Sequence, residues 1–235
     1  MRLVVAPTPE EAAALAARHI ADALRRAIAG RGVATVALSG GSSPRPLLAE
    51  LAGQPLAWPS IHVFQVDERV APRGDAQRNL TSLEAVLCGH GPLPRAQLHA
   101  MPVDLPDLDA AAAACDRELA ALTGRPGQSA QLAILDVVHL GLGADGHMAS
   151  LFPGDPALGI QDRNVAVVGP HAGYRRLTLT LPVINAARNV VWFVTGAAKR
   201  AVLTRLMAGG ATFPAGRVDA ARACAFADEA AAPAG

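Results

Sequence analysis

Apolar and polar positions fall into blocks of differing period along this chain. Leu3–Ala6 is a short apolar run that reads as a strand. Thr8 then supplies N-cap chemistry, Pro9 suits a first helical position, and Glu10 and Glu11 set negative charge against the positive helix end. Ala16, Ile20, Leu24 and Ile28 make one apolar stripe, and Gly30 is the expected stop. Val33–Leu38 is a β-branched run with no polar alternation, as a strand buried on both faces requires. It meets Ser39-Gly40-Gly41-Ser42-Ser43-Pro44, after which a helix is predicted from Pro44 through Leu51.

The same rhythm continues downstream. Ile61–Val66 predicts a strand ending in Asp67-Glu68-Arg69, and Leu80–Leu87 and Asp107–Leu122 predict helices. Leu132–Leu140 predicts a strand that meets a second glycine-rich turn, Gly141 to His147. Val165–Val168, Leu177–Leu181 and Val190–Thr195 predict further strands, and Ala197 to Met207 a helix with Lys199 in its first turn. Alternating strands and helices predict a doubly wound α/β fold, a mostly parallel sheet with helices on both faces. Ligands bind such sheets beyond the carboxyl ends of the strands, where these polar turns fall. The 235 residues are expected to form a single α/β domain with Ala230 to Gly235 as a frayed tail.

Composition narrows the function. With 21 basic and 20 acidic residues the formal charge is +1, which gives no electrostatic reason to expect nucleic acid or an anionic membrane as partner. No apolar stretch approaches the ~18 residues needed to span a bilayer, and no secretory leader is seen, so a cytoplasmic protein is expected. Cys88, Cys115 and Cys224 are far apart and form no CxxC pair, which predicts free thiols rather than a disulfide framework or zinc site.

Three segments carry candidate chemistry. In the Ser39–Pro44 turn, two glycines let backbone N–H groups approach an anion, serines add hydroxyls, and the following helix presents its positive end. The competing reading is a tight strand-to-helix turn alone. Arg176, at a strand start, and Lys199, in a helix first turn, offer counter-charge for a phosphate; otherwise they are solvated surface cations. In the second turn Asp145 and His147 flank Gly146, so that the carboxylate can orient the imidazole as a base for water, or both can simply bond the loop backbone. Asp67-Glu68-Arg69 brings two carboxylates and a guanidinium to the same sheet edge, either as ligand contacts or as a solvated terminus. Of the other histidines, His19, His62 and His139 lie within elements, with structural roles expected for His62 and His139. His90, His99 and His171 fall in connections without converging acids.

Taken together, Leu38 to Arg45 (LSGGSSPR), Val66 to Arg69 (VDER), Leu140 to Gly154 (LGLGADGHMASLFPG), Arg176 to Asn185 (RLTLTLPVIN) and Gly196 to Lys199 (GAAK) resemble the 6-phosphogluconolactonases of the glucosamine-6-phosphate isomerase/6-phosphogluconolactonase family. The pieces keep the family's order from about Val33 to Leu203, and the block around Asp145 and His147 is the most specific. The resemblance implies an enzyme that hydrolyses 6-phosphoglucono-δ-lactone to 6-phosphogluconate in the oxidative pentose phosphate pathway, with no metal or organic cofactor. It implies His147 as the base with Asp145 supporting it, the substrate phosphate on Ser39, Gly40, Gly41 and Ser42 with Arg176 and Lys199 as counter-charges, and Arg69 as a substrate or oxyanion contact. Asp67 would bind a hydroxyl, assist protons or brace Arg69. A small phosphorylated lactone is then the partner, and a monomer is favoured. Glucosamine-6-phosphate deaminases of the same family resemble GxGxDGHxAFNEP here and carry a glutamate after the histidine, whereas Ala149–Pro153 holds no carboxylate. A non-catalytic sugar-phosphate sensor would need neither His147 nor Asp145.

Overall fold

The computed structural model describes residues 1–89, 91–123 and 132–234; His90 and Gly235 lie outside the described residues. Among these residues the strands are, in chain order, β1 (Arg2–Ala6), β2 (Ala34–Leu38), β3 (Ile61–Gln65), β4 (Asp67–Arg69), β5 (Leu98–His99), β6 (Val137–Leu140), β7 (Val165–His171), β8 (Tyr174–Leu179), β9 (Val190–Val194) and β10 (Ala223–Asp228). The helices are α1 (Pro9–Arg31), α2 (Arg45–Ala52), α3 (Asn79–Leu83), α4 (Leu108–Thr123), α5 (Leu181–Ala186) and α6 (Arg200–Ala208).

The larger sheet runs β1-β10-β9-β6-β2-β3-β5, with every neighbouring pair parallel. Its faces build two cores. Val36 and Leu38 of β2 pack with Ile20 and Leu24 of α1 and Leu47 and Leu51 of α2. Ala37, between them, faces the opposite core with Val138, Trp192, Leu203 and Leu206. Burial on both faces explains why β9 carries an unbroken apolar run and why β2 is apolar but for Thr35, whose hydroxyl bonds Asp136. This is the doubly wound arrangement predicted from the sequence.

The chain steps from β2 to β3 and β5 in one lateral direction, and from β6 to β9 and β10 in the other. The reversal lies between adjacent β2 and β6. Loops leaving their carboxyl ends diverge there and open a crevice.

Several boundaries differ from the pattern reading. Thr8 caps α1 by accepting the Glu11 N–H at 3.2 Å, as predicted, but the helix continues past Gly30 to a left-handed cap at Gly32. The segments predicted as strands at Val165–Val168 and Leu177–Leu181 do not join the parallel sheet. They form β7 and β8, an antiparallel hairpin that pairs with β4 in a separate three-stranded sheet. Its turn residues Ala172 and Gly173 both have positive φ, 49° and 82°, the backbone sense that matches strand twist in tight hairpins. Pro182 then suits the first turn of α5, so Leu181 is helical rather than extended. The helix predicted at Leu80–Leu87 divides into α3 and a wider π turn at Glu84–Gly89. The Ala-rich β10, which the pattern does not announce, is fully buried between β1 and β9. The tail is also better held than expected: Ala231 is buried and its N–H bonds Asp228.

Candidate functional site

At the β2/β6 reversal lies a cleft of about 370 Å³. The turn after β2 contributes Ser39, Gly40, Ser43 and Pro44, and that after β6 contributes Gly141, Leu142, Gly143 and His147. The small sheet adds Asp67, Arg69 and Arg176, while Thr195 and Lys199 close the far side. Of the residues singled out in sequence, Ser39, Gly40, Asp67, Arg69, His147, Arg176 and Lys199 therefore share one hollow. Gly41, Ser42 and Asp145 do not line it, and Ser42 and Asp145 are exposed.

The first turn is already partly engaged. The Ser39 hydroxyl donates to the His139 carbonyl at 3.0 Å, so the oxygen of this cleft-lining residue is left as an acceptor. The Gly41 N–H donates to Ser82 Oγ at 2.7 Å. Among the described residues no hydrogen bond uses the Gly40, Ser42 or Ser43 N–H, which leaves amide donors for an anion. Gly40 is glycine for a steric reason: a Cβ there would lie 2.6 Å from Asn79 backbone and side-chain atoms.

The second turn builds an oriented imidazole. Asp145 Oδ1 accepts from the His147 backbone N–H at 3.1 Å and pairs with His147 Nδ1 at 2.6 Å. A carboxylate at Nδ1 makes that nitrogen the donor and leaves Nε2 as the acceptor. Partial burial would raise the Asp145 carboxyl, but the His147 N–H, its ring and its charge outweigh this and hold the group below its ordinary value. The ring lies 4.5 Å from the Phe152 ring, which stacks in turn on His171 at 3.9 Å. Gly143 is required by this geometry, since a Cβ there would meet His147 Nδ1 at 2.1 Å.

The third wall concentrates charge. Antiparallel register sets Arg69 directly opposite Arg176. Like charges facing across a strand pair are unfavourable unless an anion lies between or near them. Each guanidinium has a buried Nε without a partner among the described residues. Arg176 is lowered from its ordinary value, by burial first and then by Arg69. Asp67, 7% exposed, accepts from Ser150 Oγ at 2.6 Å and Asn79 Nδ2 at 2.9 Å. Burial raises its carboxyl, partly offset by Ser150 and by the charges of Arg176, Arg69 and His147. Lys199, in the short 3-10 turn Ala197–Lys199 before α6, donates from Nζ to the Leu142 carbonyl at 2.7 Å.

Sequence reasoning named Glu68 but missed how it and other groups hold these side chains. Glu68 is fully buried and lies away from the cleft; its oxygens accept the Arg69, Asn79 and Leu80 N–H groups at 2.7–2.8 Å. Asp228, at the end of β10, accepts the Gly196 N–H at 2.9 Å and steadies the turn that carries Lys199. His139, read as purely structural, reaches the cleft lining. His99 and His171, read as lacking nearby acids, pair with Glu118 at 2.7 Å and Asp155 at 3.0 Å. These partners are distant in sequence, so local spacing gives no sign of them.

Residues 7–226 match the family model described as glucosamine-6-phosphate isomerases/6-phosphogluconolactonase. The chain is 41% identical to 6-phosphogluconolactonase of Synechocystis over 185 residues, covering 79% of this chain and 76% of that protein. It is 37% identical to 6-phosphogluconolactonase of Nostoc over 213 residues, covering 90% and 88%. The solved structure of 6-phosphogluconolactonase from Trypanosoma brucei superimposes with a TM-score of 0.83 at 28% identity, over 98% of this chain and 97% of that one.

Proposed function

This chain belongs to the glucosamine-6-phosphate isomerase/6-phosphogluconolactonase family, and we propose that within it the protein hydrolyses 6-phosphoglucono-δ-lactone to 6-phosphogluconate, the lactone step of the oxidative pentose phosphate pathway. One observation carries the reading: an imidazole oriented by a carboxylate shares a cleft of about 370 Å³ with a glycine-rich turn and three cations, Arg69, Arg176 and Lys199. Sites for small ligands begin at roughly 300 Å³, so one six-carbon phosphate fits.

In this reading the substrate phosphate lies on the free amides of the Ser39–Ser43 turn, countered by Lys199 and Arg176. The Ser39 oxygen and Asp67 accept sugar hydroxyls. His147 Nε2 takes a proton from water as its oxygen forms a bond to the lactone carbonyl carbon, and the carbonyl oxygen becomes an alkoxide. Arg69 stabilises that developing charge. Collapse re-forms the C=O bond and breaks the bond to the ring oxygen, which takes the proton back from His147. Asp145 holds the ring and offsets its positive charge between the two steps. The product is the open-chain acid, ionised at neutral pH.

The amino-sugar reading within the family is less well supported. Met148–Pro153 presents no carboxylate, and Ser150, within that stretch, is buried against Asp67. Three free thiols suit a reducing cytoplasm, and among the described residues no helix is long and apolar enough to cross a membrane.

The test compares decay of freshly prepared 6-phosphoglucono-δ-lactone with and without protein, alongside glucosamine-6-phosphate and unphosphorylated gluconolactone. Acceleration confined to the phosphorylated lactone is expected. Release of ammonia from the amino sugar would favour the deaminase reading, and equal turnover of both lactones would remove the phosphate from the argument.

A further inference from the structure

His139 sits on β6 beneath the first turn, fully buried, and touches that turn twice. Its Nδ1 accepts the Ser39 N–H at 3.3 Å, and its backbone carbonyl accepts the Ser39 hydroxyl at 3.0 Å. Because Nδ1 accepts, the ring proton resides on Nε2, a buried donor with no partner among the described residues. Leaving a buried donor unpaired costs about 1–3 kcal/mol, an expense that an ordinary core residue such as Val or Leu would avoid. Burial also pushes this imidazole down to about 4, which keeps it neutral and Nδ1 free to accept.

We propose that His139 is a positioning residue for the ligand-binding turn, its Nδ1 and carbonyl clamping Ser39 so that the turn amides and the Ser39 oxygen face the cleft in one fixed arrangement. The inference rests on the phosphate and a sugar hydroxyl meeting that turn. It extends that reading by naming the group beneath the turn that sets its geometry, without itself touching substrate. The clamp ties two strand ends on opposite sides of the sheet reversal, so it also sets the spacing of the first turn from β6, whose own turn carries His147.

The test contrasts two replacements. Asn places Oδ1 close to where His places Nδ1 and so retains the acceptor; Leu fills the space and leaves the Ser39 N–H unpaired. With 6-phosphoglucono-δ-lactone, His139→Leu should raise KM about tenfold, the loss of one buried hydrogen bond, with kcat within about twofold. His139→Asn should return KM most of the way to the parent value. A fall in kcat at unchanged KM, or Asn no better than Leu in a folded protein, overturns the proposal. Nitrogen-15 NMR on unsubstituted protein decides the matter without any variant: the Nε2–H tautomer at pH 7 is expected, and the Nδ1–H tautomer overturns the clamp. Failure of the parent protein to prefer the phosphorylated lactone would instead sink the phosphate assignment, leaving the tautomer result to stand or fall by itself.

Discussion

At the scale of single residues the site depends on pairs. His147 supplies the imidazole, and Asp145 at 2.6 Å gives it a direction. His147→Ala should lower kcat by about 10²–10⁴, the range a general base supplies, while thermal unfolding stays near that of the parent. Asp145→Asn should cost less, up to about tenfold in kcat, since the pair is partly solvated. Stopped decay curves for the phosphorylated lactone measure both, and full activity of the alanine variant would reject His147 as base. The local half of this arrangement was readable in sequence, because Asp145 and His147 are two positions apart across a glycine. Asp67 was not: its role depends on Ser150 and Asn79, which come from other segments.

At the scale of elements, the short strand β4 and short helix α3 matter more than their lengths suggest. Glu68 binds them together by accepting the Asn79 and Leu80 N–H groups, the free amides at the start of α3. The Gln65 amide and the Arg78 guanidinium, 3.6 Å away, complete its surroundings. Glu68→Gln keeps the shape but removes the charge and replaces an acceptor with a donor. A loss of roughly 3 kcal/mol is expected in urea unfolding, with a rise in KM because Asn79 holds Asp67 at the cleft. Unchanged stability would show that β4 and α3 are held by packing alone. Sequence placed Glu68 with Asp67 and Arg69 at a strand end. It did not reveal that alternate side chains of so short a strand turn opposite ways, two toward the cleft and one into the interior.

For the whole molecule, stability is tied to pH through the buried neutral imidazole. His139 is pushed from 6.5 down to about 4, so below 6.5 the unfolded chain binds a proton that the folded chain refuses. Stability from this group is therefore present above pH 6.5 and falls as pH drops toward about 4, by a total of about 3 kcal/mol. His19 and His62, also lowered chiefly by burial, act in the same direction. Unfolding midpoints across this window should decline less steeply for His139→Asn than for the parent; parallel curves would show that His139 is not held neutral. The doubly wound class, most of the alternating strands and helices, and the turns that carry His147 and Ser39 were determined by sequence, because periodicity, caps and glycine turns are local properties. Tertiary structure decided what local chemistry cannot encode. It made an Ala-rich segment an inner strand, because neighbours on both sides and not its own propensity bury it. It withdrew the β7–β8 hairpin into a second sheet and so set Arg69 opposite Arg176. Above all it placed His139 under Ser39, a hundred residues away, since only the pairing of β6 with β2 brings those two positions within hydrogen-bonding reach.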